Sequence, residues 1–188
     1  MNTRPLVVLG TGRIARAVLG QLLERAEHLQ HRYNLTFPIA AIANSRLLMA
    51  GTPYLSADDL ARIAREGLHS GEAALPDCAA QQLDYITGRG RSLEHAFVLD
   101  MTAAANTAPV LLAALDGGYD VVLANKKPLS ADTATFLGLT RHPRGRIGYE
   151  ATAGAGLPII QTLRTLVDAG DELIDMTACL SGTLGYVC

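Results

Sequence analysis

Cysteine is scarce in this sequence. Cys78, Cys179 and Cys188 are odd in number and irregular in spacing, which excludes a disulfide framework. None sits in a CxxC pair, and His28, His31, His69, His95 and His142 form no metal-ligand spacing with them. The thiols read as buried or incidental. A long apolar run is missing too, which argues against a transmembrane helix. No cleavable signal pattern precedes the first apolar run, Pro5-Leu6-Val7-Val8-Leu9. The net charge of −2 carries no basic stripe, so neither nucleic acid nor a membrane surface is expected as a partner. Repeats and low-complexity stretches are absent. What remains is a cytoplasmic protein acting on a small-molecule substrate.

The composition fits a packed core. Hydrophobic residues make up 49% and charged residues 18% of 188 positions, enough for one domain, or one domain and the beginning of another. Short β-rich runs alternate with helical patterns. Leu6–Leu9 is an apolar strand, followed by Ile14, Val18 and Leu22 on one helix face. Pro38–Ala43 reads as a second buried strand. Ser56-Ala57-Asp58-Asp59 looks like a capping box for a short helix stopping at Gly67. A helix is expected near Ala79–Ile86 and a loop at Gly88-Arg89-Gly90. Phe97–Asp100 resumes the strands. Asn106 or Thr107 should cap a helix through Leu115, Tyr119–Leu123 should be a strand, Ser130 should cap another helix, and Arg146–Tyr149 should be a strand. This alternation implies an α/β fold, a Rossmann-like doubly wound parallel sheet covered on both faces. Residues 1–148 form that domain. From 149 to 188 the pattern changes: a glycine-rich loop, Pro158 opening a helix to about Ala169, and a strand of a different sheet over Glu172–Leu180. That segment reads as the incomplete start of an α+β substrate and dimerisation domain.

Gly10-Thr11-Gly12-Arg13-Ile14-Ala15 is a G-x-G-x-x-A pattern between a strand and an amphipathic helix, the context that gives it meaning. Gly10 allows the tight turn, Gly12 lets a pyrophosphate approach the backbone, and Ala15 keeps the helix close to the sheet. At the end of the second strand, where NAD enzymes place a carboxylate about 20 residues after the glycines, stands Asn44-Ser45-Arg46. No carboxylate there repels a 2′-phosphate, and Arg46 can pair with one through two charge-assisted bonds. NADP is therefore favoured over NAD; Arg46 as a plain solvated residue is the competing reading.

Three further groups lie at carboxyl ends of strands, where ligands bind in open α/β sheets. In Asp100-Met101-Thr102-Ala103-Ala104 the small residues leave room for a nicotinamide ring, and Thr102 offers a hydroxyl. Asn125-Lys126-Lys127-Pro128 puts a lysine where it can protonate or polarise a carbonyl oxygen; a basic loop facing water is the plain alternative. Tyr149-Glu150-Ala151-Thr152 leads into Ala153-Gly154-Ala155-Gly156-Leu157-Pro158. There Glu150 either binds a monovalent cation or a substrate ammonium, or pairs with a helix N-terminus.

GTGRIA, ANSR, ANKK, YEATAGAGLPII and the terminal LSGTLGYV together resemble the homoserine dehydrogenases, nearest to the dehydrogenase half of bifunctional aspartate kinase–homoserine dehydrogenases. The resemblance covers nearly the whole chain and is weakest from 67 to 95. It implies NAD(P)-dependent interconversion of L-aspartate 4-semialdehyde and L-homoserine, on the path to threonine, methionine and isoleucine. It implies Lys126 as the catalytic lysine and a cofactor contact, and Gly10, Thr11, Gly12, Arg13, Ile14 and Arg46 as nucleotide ligands beside Asn44 and Ser45. Thr102, Ala103 and Asn125 would lie near the ring. Glu150 with the carbonyls of Ala153, Ala155 and Leu157 would match a sodium site, and Glu150 and Thr183 would meet substrate. Ala15, Ala153 and Ala178 depart from the commoner glycine, valine and glycine. The resemblance also implies a substrate domain continuing past SGTL, with acidic substrate ligands, a second lysine and most of a homodimer interface. On that expectation the 188-residue chain is truncated, and a non-catalytic NADP-binding remnant is one alternative. A Gfo/Idh/MocA-like sugar dehydrogenase is another, since Lys126-Lys127-Pro128 is superficially like that family's E-K-P motif.

Overall fold

The computed structural model describes residues 2–70, 72–73, 83–84 and 93–178. A seven-stranded sheet organises it, built from β2 (Leu6–Leu9), β4 (Ile39–Ala43), β5 (Leu47–Ala50), β6 (Glu72–Ala73), β7 (Phe97–Asp100), β8 (Asp120–Leu123) and β9 (Ile147–Gly148). Their order is β6-β5-β4-β2-β7-β8-β9. The five strands from β4 to β9 run parallel, while β5 and β6 are antiparallel to their neighbours. A separate parallel pair joins β1 (Asn2–Thr3) to β3 (Leu35–Thr36).

Apolar residues on both sides of the central strands explain the two cores. Val7, Leu9, Ala41, Val98, Val121 and Leu123 pack on α4 (Ala108–Asp116) and on Leu139 of α6 (Thr133–Thr140). Leu6, Val8, Ile42 and Leu99 pack on Ala15 and Leu19 of α1 (Arg13–Glu24) and on Leu60 and Ile63 of α3 (Ala57–Glu66). All five residues of β4 are buried, as a parallel strand covered on both faces requires. The long first connection is filled by α1, α2 (Ala26–Tyr33) and β3. Cover is thinner at the far side, where Val122 of β8 is 39% exposed.

Most expected elements appear within two residues of their places. Ser56 caps α3 by accepting the Asp59 N–H, and Gly67 ends it at φ 91°. Three expectations are corrected. Thr107 is the N-terminal residue before α4, but its side chain makes no cap bond, because its hydroxyl goes to Asp100. Asn106 does not cap that helix either. Ser130 ends the single turn α5 (Lys127–Ser130) and does not open α6, whose cap is Asp132, accepting from Thr135 N–H. Residues 172–178 form no strand and are exposed throughout. A strand needs a neighbour for its backbone groups, and none lies beside them among the described residues. In the expected helix near Ala79–Ile86, Leu83 and Asp84 are helical. The rest of that helix, the Gly88-Arg89-Gly90 loop, Cys78, Cys179, Cys188 and Thr183 lie outside the described residues. Among the described residues no helix is long and apolar enough to cross a membrane.

Candidate active site

Strand register brings the candidate residues to one edge. Leu9 pairs with Ala43 on one side and Asp100 on the other, and Asp100 pairs with Leu123. The loops beginning at Gly10, Asn44, Met101 and Ala124 therefore leave the sheet at one level, at its carboxyl end. Backbone bonds lock them: Gly10 N–H to Ala43 O at 2.7 Å, Met101 N–H to Leu9 O at 2.8 Å and Ala124 N–H to Asp100 O at 2.9 Å.

The glycine loop has two glycines with different physical reasons. Gly10 has φ +101°, and a Cβ there would lie 2.8 Å from Met101 O, so both conformation and crowding exclude a side chain. Gly12, at φ −77°, opens α1, and a Cβ there would meet no protein atom within 4 Å. Its missing side chain serves nothing inside the fold and keeps open the approach to the helix N-terminus. That terminus has no side-chain cap and no acidic residue in its first turn, which leaves its N–H donors and dipole suited to a phosphate. Ala15 is fully buried, as close packing of helix on sheet demands. Arg13 and Ile14 are exposed beside it.

Asn44 links this loop to the next. Its Nδ2 lies 3.4 Å from Thr11 Oγ1, and its Oδ1 accepts the N–H groups of Arg46 and Leu47, both at 2.8 Å. The turn so formed leaves Ser45 and Arg46 exposed, on the loop that neighbours the glycine turn. Arg16 of α1 reaches the other way. Its Nε donates to Ala64 O at 2.9 Å and its Nη2 donates to Arg65 O, tying α1 to the end of α3. Nothing in the sequence pattern marks Arg16 for this.

Asp100 is the residue that sequence reasoning undervalued. It is fully buried and its carboxylate receives four donors. Thr102 N–H and Oγ1 reach Oδ1 at 2.9 and 2.7 Å. Thr107 Oγ1 and Asn125 Nδ2 reach Oδ2 at 2.7 and 3.1 Å. Asn125, 3% exposed, also donates to Ala104 O at 2.8 Å and accepts the Lys127 N–H at 3.2 Å. Thr102 and Asn125 thus spend their polar atoms inside the protein. Through Asn125 Nδ2 they tie the Thr102–Ala104 turn, on which Ala103 is exposed, to the turn after the next strand. Lys126 and Lys127 are exposed at the rim. An Asp at a strand end, with Thr at Asp+2 and Asn two residues beyond the next strand, was the available signal.

Glu150 takes the helix-partner role. In the short turn Glu150–Thr152, its two carboxylate oxygens accept Ile160 N–H at 3.0 Å and Gln161 N–H at 2.8 Å. They cap α7 (Ile159–Asp168). The loop between them is tight: Gly154 has φ +69° and Ala155 φ 53°, Leu157 N–H donates to Gly154 O, and the Leu157 carbonyl accepts Ile159 N–H. Arg164 lies over the Tyr149 ring, 4.8 Å from its centroid. Among the described residues no three His, Cys, Asp or Glu side chains gather as a metal cluster.

Comparison with known proteins bears on the family and the fold. Residues 10–145 match the family model for the homoserine dehydrogenase NAD-binding domain. The chain is 31% identical over 189 residues to a chloroplastic bifunctional aspartokinase/homoserine dehydrogenase of Zea mays, covering 99% of this chain and 20% of that protein. It is 30% identical over 187 residues to the homoserine dehydrogenase of Saccharomyces cerevisiae, covering 97% of this chain and 48% of that enzyme. A hyperthermophilic archaeal homoserine dehydrogenase in complex with NADPH superposes with a TM-score of 0.59 at 20% identity, covering 86% of this chain and 48% of that one. The chain therefore spans about half the length of the single-function relative and a fifth of the bifunctional one.

Proposed function

We propose that this chain, which belongs to the homoserine dehydrogenase family, is the nucleotide-binding part of an NADP-dependent enzyme interconverting L-aspartate 4-semialdehyde and L-homoserine. The single observation that carries this reading is the open, uncapped N-terminus of α1 at Gly12. It stands at the sheet edge that also presents Arg46 and Lys126.

The cofactor's residues fit its parts. Backbone N–H groups of the α1 first turn would hold the pyrophosphate, with Gly10, Thr11, Gly12, Arg13 and Ile14 around it. Arg46, next to Asn44 and Ser45 and with no carboxylate in its turn, suits a 2′-phosphate. The archaeal relative's bound NADPH supports the same preference, and NAD remains the competing cofactor. The floor made by Thr102, Ala103 and Asn125 would carry the nicotinamide, which when bound exchanges hydride with the substrate carbon. Lys126 would hold a proton at the substrate oxygen. It would donate N–H to the aldehyde oxygen in reduction and accept the hydroxyl proton in oxidation.

Glu150 and Thr183 are proposed substrate contacts, and Glu150 with the carbonyls of Ala153, Ala155 and Leu157 a proposed sodium site. The capping role of Glu150 leaves further lone pairs on its carboxylate for either task. Homodimerisation through a domain beginning near residue 149 belongs to the same proposal.

The test is L-homoserine-dependent reduction of NADP⁺ by the purified chain, followed as NADPH absorbance, with Lys126→Ala alongside. Turnover lost in that variant is the expected result. Reduction driven by a sugar and not by homoserine would overturn it. No turnover with retained NADPH binding would assign the chain to cofactor binding alone.

A further inference from the structure

The carboxylate of Asp100 is buried beneath the proposed ring floor and touches neither open space nor an opposite charge among the described residues. A buried carboxylate is costly unless its lone pairs are matched, and here all four contacts are donors. Such a group stays in a fold when it fixes something that a neutral side chain would hold less well. What it fixes is visible. Through Oδ1 it sets the turn at Thr102, whose hydroxyl in turn receives Ala104 N–H at 3.2 Å. Through Oδ2 it holds Asn125, whose amide nitrogen also grips Ala104 O and whose oxygen receives Lys127 N–H.

We propose that Asp100 is a positioning residue that couples the ring floor at Thr102–Ala104 to the Asn125–Lys127 turn, so that the floor and Lys126 are set as one unit. This rests on the reading of the sheet edge as a nicotinamide nucleotide site, and it adds a residue that contacts neither cofactor nor substrate. Its effect is directional. The Gly10–Ile14 loop and the Arg46 turn are held by other bonds, from Ala43 and Asn44. Loosening Asp100 therefore disturbs the ring end of the site and leaves the phosphate end in place. Asp100→Asn keeps the shape but turns a donor against donors, so the network cannot close.

The experiment compares NADPH with adenosine 2′,5′-bisphosphate, which carries the phosphate end and no ring, by titration calorimetry on the full chain. Asp100→Asn should weaken NADPH by about tenfold or more, the scale of a lost charge-assisted bond. Affinity for the bisphosphate should stay within about twofold. Thr107→Val, which keeps shape and removes one donor to the same carboxylate, should give a smaller loss in the same direction and stands in should Asp100→Asn not fold. Equal loss for both ligands would mean general destabilisation and would overturn the proposal, as would no loss for either. If the parent chain binds neither ligand, the nucleotide reading fails by itself, and amide NMR then decides the coupling. Asp100→Asn should shift Thr102, Ala104 and Lys127 together and leave Ile14 unmoved. An unmoved Lys127 amide, one bond network away from the substitution, would refute the coupling.

Discussion

The side-chain amide of Asn125 donates to the buried carboxylate of Asp100 at 3.1 Å, across the loops that leave two adjacent parallel strands. This bond makes the turn bearing Lys126 part of the sheet edge. A lysine on a free basic loop would sweep a wide volume; here the backbone beneath it is anchored through Asn125 Oδ1 and Lys127 N–H.

Gly10 and Gly12 should separate folding from binding. Gly10→Ala forces a Cβ against Met101 O at a φ of +101° and should cost about 1–3 kcal/mol of stability, read by urea denaturation. Gly12→Ala meets no protein atom within 4 Å, so its stability should change by less than about 1 kcal/mol. Its NADPH affinity should nevertheless fall about tenfold or more, because the methyl group occupies the phosphate approach. Equal stability losses in both variants would count against this division.

Glu150 should matter to α7 before it matters to any ligand. Glu150→Ala removes the acceptor for Ile160 and Gln161 N–H, and the start of α7 should lose about 1 kcal/mol. Hydrogen exchange at those two amides is the readout, taken without ligand. Unchanged protection would show that the cap is not held in solution.

Asp120 and Arg146 predict a pH dependence at the opposite edge of the sheet. Partial burial by itself would raise the Asp120 carboxyl, but hydrogen bonds and charge from Arg146, at 2.8 Å, outweigh it and hold the group below its usual value. A depressed carboxylate contributes stability that is present above its unfolded value, about 4, and is lost as pH falls through the lower folded value. Arg146→Ala should raise the Asp120 titration midpoint in side-chain NMR and remove part of the acid sensitivity below about pH 4. A midpoint unmoved by that substitution would contradict the pairing.

Much of this edge was legible in the sequence, for physical reasons that differ by residue. Ala15 and the strand runs declare themselves by periodicity, because burial on both faces demands continuous apolar strands. Ser56 and Gly67 were legible because caps use few residue types. Thr107 and Ser130 mislead for the same reason. A threonine or serine before a helix resembles a cap, and only the position of Asp100 shows that the Thr107 hydroxyl has a better partner. Asp132 won the α6 cap from Ser130 because Lys127-Pro128 makes its own turn first. Of the strand expected over Glu172–Leu180, residues 172–178 form none, because a β-rich run becomes a strand only where another strand receives its backbone groups, and none does so among the described residues. The parallel sheet also hid two antiparallel strands, β5 and β6, which fill the sheet position beyond β4.

The central claim is that this sheet edge is a nucleotide site tuned to a 2′-phosphate, and parallel titrations of the full chain with NADPH and NADH test it most directly. The account predicts micromolar binding of NADPH, roughly −8 kcal/mol, weaker binding of NADH, and a gap between them that closes in Arg46→Ala. Equal affinities for the two nucleotides, or a gap that survives the loss of Arg46, would contradict it.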